Sequence, residues 1–149
     1  MGIKVIAKNK RASYDYSFEE KFETGMVLKG TEVKSLRDGK VSIAEAYITI
    51  DKNEEVWAYN ITIPHYEFGN INNHNETRKR KLLLKRKEIE KIKHRIKAGG
   101  MTLIPTMIYF KQNYIKLEIA LGKGKRKHDK RSDKAKKDVE RKLQRGDYS

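Results

Sequence analysis

Regular alternation of apolar and polar residues in the second half of the chain predicts an antiparallel hairpin. Apolar residues occupy every second position from 115 to 121, which is the spacing of one face of a strand. Residues 102–111 are rich in β-branched and aromatic side chains, and Gln112-Asn113 between the two segments is typical of a turn. We therefore predict two paired strands here.

Two further strand pairs follow from the same kind of pattern. Residues 46–50 and 56–63 form one pair, linked by residues 51–54. The aromatic alternation Tyr14, Tyr16, Phe18 predicts a strand that pairs with residues 26–36. Several short antiparallel strands with few long crossovers favour a mostly β fold, a small barrel that closes its own edges.

Helices are the minority in this pattern. Ile89, Ile92 and Ile96 are spaced i, i+3, i+7 within residues 85–97, and Gly99-Gly100 supplies a C-terminal stop. Residues 42–45 read Ser-Ile-Ala-Glu, a capping-box pattern that predicts a short helix. Residues 17–20 fit the same pattern and compete with the strand prediction, so that segment stays open.

The last segment, residues 122–149, differs from the preceding 121. Twelve Lys and Arg residues stand there against five Asp and Glu residues, with few apolar side chains. Such a composition does not offset chain entropy, so we expect a basic tail that is disordered when free. Ala135, Val139 and Leu143 are spaced i, i+4, i+8, which predicts a helix once the tail is ordered on a partner. The domain prediction is a barrel over residues 1–121 and a tail over 122–149.

Composition sharpens the choice of partner. The chain has 149 residues, 35 Lys and Arg against 20 Asp and Glu, and a formal net charge of +15. Such a charge repels copies of itself, which favours a monomer, and attracts polyanions, which favours nucleic acid or an anionic membrane surface as the partner; a solvated lysine surface is the alternative. No apolar run is long enough for a membrane span or a signal peptide, so we expect a cytoplasmic protein without membrane contact.

The residues give little support for catalysis. The chain contains no Cys, which excludes disulfides, thiolate zinc sites and a cysteine nucleophile. The four His residues lack ligand spacing, and no His-Glu-x-x-His or Gly-x-Ser-x-Gly motif occurs. His65 and His74 with a nearby carboxylate are the one weak metal alternative. We therefore expect no catalytic residue, no cofactor and no metal.

RNA binding is better supported, by two basic segments. Residues 78–87 place cations on both sides of Leu82-Leu83-Leu84, which anchors a basic surface to the core; a solvated helix face is the alternative. Residues 9–12, Asn-Lys-Arg-Ala, precede Tyr14 and Tyr16, rings that stack on bases or simply pack. Glu32 is an acid among cations on a predicted strand. It either accepts a hydrogen bond from RNA or pairs with Lys34 or Arg37.

Taken in order, these segments resemble the small protein B family, the partners of transfer-messenger RNA (tmRNA) in bacterial trans-translation. The resemblance rests on Asn-Lys-Arg-Ala at 9–12, Gly-Thr-Glu-Val-Lys-Ser-Leu-Arg at 30–37, Arg-Lys-Arg-Lys-Leu-Leu-Leu at 78–84 and His-Asp-Lys-Arg at 128–131. It runs from residue 9 into the tail. Two departures, Asn75-Glu76 in place of Asp-Pro and Gly99-Gly100 in place of Lys-Gly, lie in predicted turns.

The resemblance implies an OB-like closed antiparallel β-barrel with short peripheral helices and a basic C-terminal tail. It also implies a non-enzymatic function. The barrel binds the tRNA-like domain of tmRNA and carries it to stalled ribosomes. The tail becomes a helix in the empty mRNA channel, close to the small-subunit decoding centre, and mimics codon–anticodon pairing. A generic ribosomal or tRNA-binding OB-fold protein is the alternative, and a metal-dependent RNA hydrolase is a more distant one.

Two sets of site residues follow from the basic segments and the resemblance together. The expected tmRNA contacts are Asn9, Lys10, Arg11, Tyr14, Glu32, Lys34, Arg37, Arg78, Arg80, Lys81, Leu83 and Lys85. The expected ribosome and decoding-centre contacts of the tail are Lys123, Lys125, His128, Asp129, Lys130, Arg131, Lys134, Lys137 and Arg141.

Overall fold

A computed structural model describes residues 2–66 and 73–125 of the chain. Its strands form one antiparallel sheet in the order β1-β6-β7-β2-β5-β4-β3. The mostly β prediction is confirmed. The strands are β1 (Ile3–Lys8), β2 (Tyr16–Met26), β3 (Tyr47–Ile50), β4 (Val56–Tyr59), β5 (Arg80–Leu83), β6 (Thr102–Lys111) and β7 (Tyr114–Gly124), and the helices are α1 (Ala12–Asp15), α2 (Gly30–Arg37) and α3 (Arg86–Lys97).

The elements with the strongest local pattern form as predicted. β6 and β7 pair in register from Lys111 and Tyr114 onward, across a turn in which Gln112 has φ 58°. β3 and β4 form the second predicted hairpin. Helix α3 begins one residue later than predicted, where the Glu88 side chain accepts a hydrogen bond of 3.1 Å from the Lys85 backbone N–H.

The inner face of the sheet and one face of α3 form the core. Ile108, Leu117, Ile119 and Leu121 of the long hairpin have no exposed surface, and neither does Ile92 of α3. Because apolar side chains alternate along β7, its inner face is continuous with the core while its outer face stays available for polar groups.

The prediction of a closed barrel is wrong for the residues that the structure describes. The sheet has two edges, β1 and β3, and no strand pairing joins them. Strand β3 is only four residues long and pairs with β4 on one side. A groove of about 480 Å³ lies there, lined by residues that include Ile50 of β3, Ile96 of α3 and Leu103 of β6.

The strand predicted over residues 26–36 is also wrong, and so is its pairing with the strand predicted around Tyr14, Tyr16 and Phe18. Residues 16–26 form the single strand β2, residues 27–29 have no regular structure, and α2 begins at Gly30. Glu32 accepts a hydrogen bond of 2.8 Å from the Lys29 backbone N–H, which satisfies a free donor at the helix start. Glu32, Ser35 and Leu36 are buried, with the i, i+3, i+4 spacing of one helix face. Contacts with the rest of the fold therefore decide this segment.

Three smaller differences concern local signals. Residues 42–45 form no helix, because Ser42 pairs through its backbone with Thr62. Residues 17–20 belong to β2, which settles the open choice, whereas Tyr14 lies in α1. Strands β1 and β5 were not predicted. The turns at residues 76–77 and 98–100 are confirmed, and Gly99 has φ 99°, a conformation that favours glycine.

Strand β7 ends at Gly124, so the first residues assigned to the tail belong to the sheet. The predictions of disorder and of a latent helix for the tail fall on residues 126–149, outside the described residues. Within the described part of the chain, no helix is both long and apolar enough to cross a membrane.

Candidate nucleic-acid interface

A buried ion-pair network joins α2 to β5. The Glu32 side chain has no exposed surface, and its two oxygens accept hydrogen bonds from different arginines. Arg80 Nε lies 2.5 Å from Glu32 Oε2, and Arg78 Nη2 binds Oε1. Arg80 also donates to the carbonyls of Ile61 (2.5 Å) and Glu76 (3.1 Å). Glu32 therefore pairs with arginines 46 and 48 residues away and not with Lys34 or Arg37.

The network keeps both charges. Burial alone raises the pKa of Glu32, but hydrogen bonds from Arg78, the Lys29 backbone and Arg80 outweigh it, so the pKa lies below its ordinary value. Burial lowers the pKa of Arg80, and Glu32 opposes that shift. The Arg78 side chain is 23% exposed, so it is the member of the network that reaches the surface.

A second buried group, His74, contacts α2 next to Glu32. His74 is 1% exposed, and its Nε2 donates to the Ile63 carbonyl at 2.7 Å. With Nε2 protonated, Nδ1 is free to accept from the Thr31 hydroxyl at 2.8 Å. Ser35 Oγ donates to the Pro64 carbonyl at 2.9 Å. Helix α2 is therefore held against residues 61–64 and 74 by polar contacts on one face.

These contacts disfavour the metal site considered above for His65 and His74. His65 packs edge-on against His74, with ring centroids 5.6 Å apart, but both nitrogens of His74 are already occupied. Among residues 2–66 and 73–125, no group of three or more His, Asp or Glu side chains is arranged to hold a metal ion.

An open groove of about 290 Å³ lies where β2, β5 and β7 meet α2. Residues of the outer face line one part of it, and residues packed on the core side line the rest, namely Met26, Leu28, Val33 and Ile115. Gly25 of β2 pairs with Leu83 on one side and with Lys116 on the other, so these two side chains face outward together. Leu83 is 53% exposed and Tyr114, at the start of β7, is 67% exposed. We call Gly25, Leu83, Tyr114 and Lys116 the Leu83 groove. Its exposed apolar surface lies beside a cation.

An exposed carboxylate stands beside this groove. Glu23 is on the same outward face of β2, and Tyr109 donates to Glu23 Oε2 at 2.5 Å. Lys111 Nζ lies 3.4 Å from the same carboxylate. The hydrogen bond from Tyr109 is the largest effect on the pKa of Glu23 and lowers it; partial burial opposes this shift, and Lys111 and Lys116 lower the pKa further, so the net shift is downward. Glu23 is therefore an ionised hydrogen-bond acceptor held in a defined position.

The predicted cations of α2 and β5 surround this region. Lys34 lies over the Tyr66 ring, with Nζ 5.5 Å from the centroid, and Arg37 is exposed one turn further along α2. Lys81 Nζ is 3.6 Å from Glu55, and Lys85 is exposed at the start of α3. Among the predicted residues of the 30s and of 78–85, the structure brings Glu32 into direct contact with Arg78 and Arg80.

The N-terminal group of predicted contacts lies at the other end of β2. Asn9 Nδ2 donates to the Pro105 carbonyl at 3.1 Å, so Asn9 holds the backbone. Arg11 is exposed, 3.4 Å from Asp15 and over the Tyr14 ring, and Lys10 is exposed beside it. Strand β2 has 11 residues, so about 30 Å separates its two ends.

The first tail residues join this N-terminal group. Lys123 pairs with Ser17 of β2, and the Lys125 backbone N–H donates to the Asp15 carbonyl at 2.8 Å. The remaining tail predictions lie outside the described residues. They are His128, Asp129, Lys130, Arg131, Lys134, Lys137 and Arg141.

The sequence reasoning missed three residues of the exposed region. Tyr114 and Lys116 were within its reach, because the inward alternation from Ile115 places them on the outer face. Glu23 had no comparable signal, since its defining partner, Tyr109, is 86 residues away. Glu32 drew attention instead because of its basic neighbours in sequence, but its contacts are internal.

Comparisons with known proteins give consistent matches. The model of the SmpB protein family matches residues 6–147. The chain is 52% identical over 130 residues to the SsrA-binding protein of Bifidobacterium adolescentis, covering 87% of this chain and 82% of that protein. It is 48% identical over 144 residues to the SsrA-binding protein of Desulfitobacterium hafniense, covering 97% and 92%. A chain from the solved structure "tmRNA-SmpB: a journey to the center of the bacterial ribosome" is similar at TM-score 0.66 and 39% identity, covering 84% and 91%.

Proposed function

Because the chain belongs to the SmpB family, we propose that it acts in trans-translation through two separate RNA-binding parts. It is a non-enzymatic protein that binds tmRNA, the SsrA RNA after which its relatives are named, and the ribosome is its second partner. We place this activity in the bacterial cytoplasm, where stalled ribosomes are found. The folded sheet and the basic tail have different tasks.

The Leu83 groove and Glu23 together form the proposed binding site for the tRNA-like domain of tmRNA. The observation that carries this proposal is the fixed arrangement of unlike groups on one exposed face. Tyr114 and Leu83 supply surface for a base or ribose, and Lys116 supplies a phosphate contact. Glu23 supplies an acceptor for a base amine or a 2′-hydroxyl. Structured RNA is recognised through such contacts to unstacked bases, ribose and backbone.

Glu32 and Arg80 contribute from inside the fold. Their side chains have no exposed surface, so we assign them to positioning Arg78 and α2 and not to direct RNA contact. Arg78 then meets RNA from a fixed position. The exposed cations Lys34, Arg37 and Lys85, and the half-buried Lys81, supply further phosphate contacts.

The N-terminal group is assigned to a different part of the bound RNA. Asn9 holds the backbone so that Lys10 and Arg11 project from the surface, and Tyr14 lies beneath the Arg11 guanidinium. Lys123 and Lys125 add charge at the same end. Separation of the two groups by about the length of β2 suits a large folded RNA better than a single strand.

The tail completes the proposal. Residues 126–149 are assigned to the vacant mRNA channel, with the four residues His-Asp-Lys-Arg at 128–131 close to the decoding centre. A basic segment of this composition orders on a partner only when the site is free, because the binding energy must exceed the cost of ordering. The link to the folded sheet raises its effective concentration there.

The proposed binding site is tested with Lys116→Glu and Leu83→Asn in a gel-shift titration of the tRNA-like domain. We expect each to weaken binding about tenfold or more, and the matched surface change Lys97→Glu on α3 to have little effect. An ordinary tRNA in the same titration separates the family function from generic tRNA binding. If both groove variants bind the tRNA-like domain as tightly as the unmodified protein, the Leu83 groove is not the binding site.

The division of labour is tested by ending the chain after Lys125, which leaves every described strand in place. We expect the shortened protein to bind the tRNA-like domain normally but to support no tagging of nascent chains on stalled ribosomes. Normal tagging, or loss of tmRNA binding, would contradict the assignment of separate tasks.

A further inference from the structure

The outer face of β3 and β4 carries a stacked pair of tyrosines. Tyr47 and Tyr59 are paired directly across the two strands, and their rings are 5.1 Å apart at an interplanar angle of 5°. Cross-strand aromatic pairs stabilise hairpins, which accounts for the contact between the two rings. It does not account for the 47% exposure of Tyr47.

The position of Tyr47 explains that exposure. Strand β3 is an edge of the sheet, so no further strand of the described residues is hydrogen-bonded to it beyond β4, although β6 lies close by. Tyr59 covers one face of the Tyr47 ring, and the remainder of Tyr47 is 47% exposed. A further flat ring can therefore stack on the exposed part of Tyr47 and lengthen the stack from two rings to three.

A third ring and a cation stand next to the pair. Lys79 Nζ lies 4.3 Å from the centroid of the Trp57 ring, on the outer face of β4. Trp57 Nε1 donates to Asp51 Oδ2 at 3.0 Å, and the Oδ1 of the same carboxylate accepts from the backbone of the turn. Trp57 is therefore held in one orientation. We call Tyr47, Tyr59, Trp57 and Lys79 the tyrosine platform.

We propose that the tyrosine platform binds unpaired bases of single-stranded RNA by stacking them on Tyr47, with Lys79 contacting the adjoining phosphate. Interleaved rings and cations on a rigid sheet are the usual means of holding unpaired bases without reading their sequence. A protein partner is disfavoured because the protein has a formal net charge of +15 and the platform itself combines aromatic rings with a cation.

This inference deepens the proposed function, since it adds an RNA contact on the same outer face as the Leu83 groove. Trp57 and Lys81 are directly opposite each other on β4 and β5, and Leu83 is two residues further along β5, which places the nearest backbone positions of the platform and the groove roughly 8 Å apart. The two sites are nevertheless separate sets of residues. They are therefore separable by substitution.

The chain contains a single Trp, so its fluorescence reports on the platform alone. We would titrate the full-length protein with a short unstructured oligoribonucleotide and follow Trp57 emission. Binding should quench it, Tyr47→Leu should weaken binding about tenfold, and Tyr47→Phe should preserve it because stacking does not need the hydroxyl. Lys79→Gln should weaken binding and reduce its salt dependence by about one phosphate contact.

Tyr114→Leu is the matched control, because it removes an exposed tyrosine from the Leu83 groove. It should weaken binding of the tRNA-like domain but leave the oligonucleotide titration unchanged. Absence of quenching in the unmodified protein would overturn the proposal. Folded Tyr47→Leu and Lys79→Gln variants that bind the oligoribonucleotide as tightly as the unmodified protein would also overturn it. Those results would leave the Leu83 groove untouched, whereas failure of the groove would show only in the tmRNA titration.

Discussion

Glu32 and Glu23 are two ionised carboxylates on a basic protein, and the surroundings of each decide its task. Glu32 has no exposed surface and binds two arginines, so its hydrogen-bonding capacity is used within the fold. Glu23 is exposed and receives a hydrogen bond from Tyr109, which leaves acceptor capacity for a ligand. An acid among cations therefore indicates function only when its partners leave part of it accessible.

The difference follows from the elements that carry the two residues. Glu32 lies on the inward face of α2, where the helical spacing turns it toward β5. Glu23 lies on β2, where alternation turns it away from the core between two buried neighbours, Phe22 and Thr24. Removal of the Glu32 carboxylate should therefore mainly reduce the stability of the fold, whereas removal of the Glu23 carboxylate should mainly reduce RNA binding.

The largest expected effect is on stability. Glu32→Gln removes the charge that compensates buried Arg80, and loss of one partner of a buried pair costs about 3–5 kcal/mol. Glu23→Gln, on an exposed carboxylate, should cost less than about 1 kcal/mol. The free energy of unfolding from urea titrations measures both. Equal unfolding midpoints for the two variants would contradict the comparison.

The pH dependence of stability should show the same contrast on a smaller scale. The folded-state pKa of Glu32 is below its ordinary value, so its share of the stability is present above about pH 4.3. That share is lost as the pH falls through the lowered folded value, where the carboxyl is protonated.

Urea titrations between pH 6 and pH 3 measure this loss. Glu32→Gln should lose less stability over the range than the unmodified protein, because the substituted side chain does not titrate. A parallel decline in the two proteins would mean that protonation of Glu32 does not contribute to acid unfolding.

A third effect concerns RNA affinity. Glu23→Gln should weaken binding of the tRNA-like domain about tenfold, because a neutral amide is a weaker acceptor and also brings donors to the site. Glu45→Gln, an exposed acid on another surface, is the matched control. A gel-shift titration measures the affinity, and equal values for the two variants would remove Glu23 from the interface.

The smallest expected effect comes from the residue that positions Glu23. Tyr109→Phe removes one hydrogen bond to the carboxylate, which we expect to weaken tmRNA binding about threefold. The loss should be much smaller in a protein that already carries Glu23→Gln, because the two residues act through one contact. Additive losses would show that Tyr109 acts independently.

The predictions that succeeded rest on local pattern. The β6–β7 hairpin and α3 follow from spacings within about a dozen residues, and their inward faces form much of the core. The prediction for residues 30–37 failed because α2 depends on distant partners of Glu32 and Ser35. The prediction of a closed barrel failed because local alternation does not determine whether two distant edges meet.

The candidate site divides in the same way. Its cationic character, the basic segment around Leu83 and the family of the chain are all readable from the residues in order, because charge and motif are properties of the chain itself. Tertiary structure alone decided that Glu32 is enclosed and Glu23 exposed, and that the two basic groups lie at opposite ends of β2. Burial and hydrogen bonding depend on residues brought together from more than 40 positions away, which no local pattern encodes.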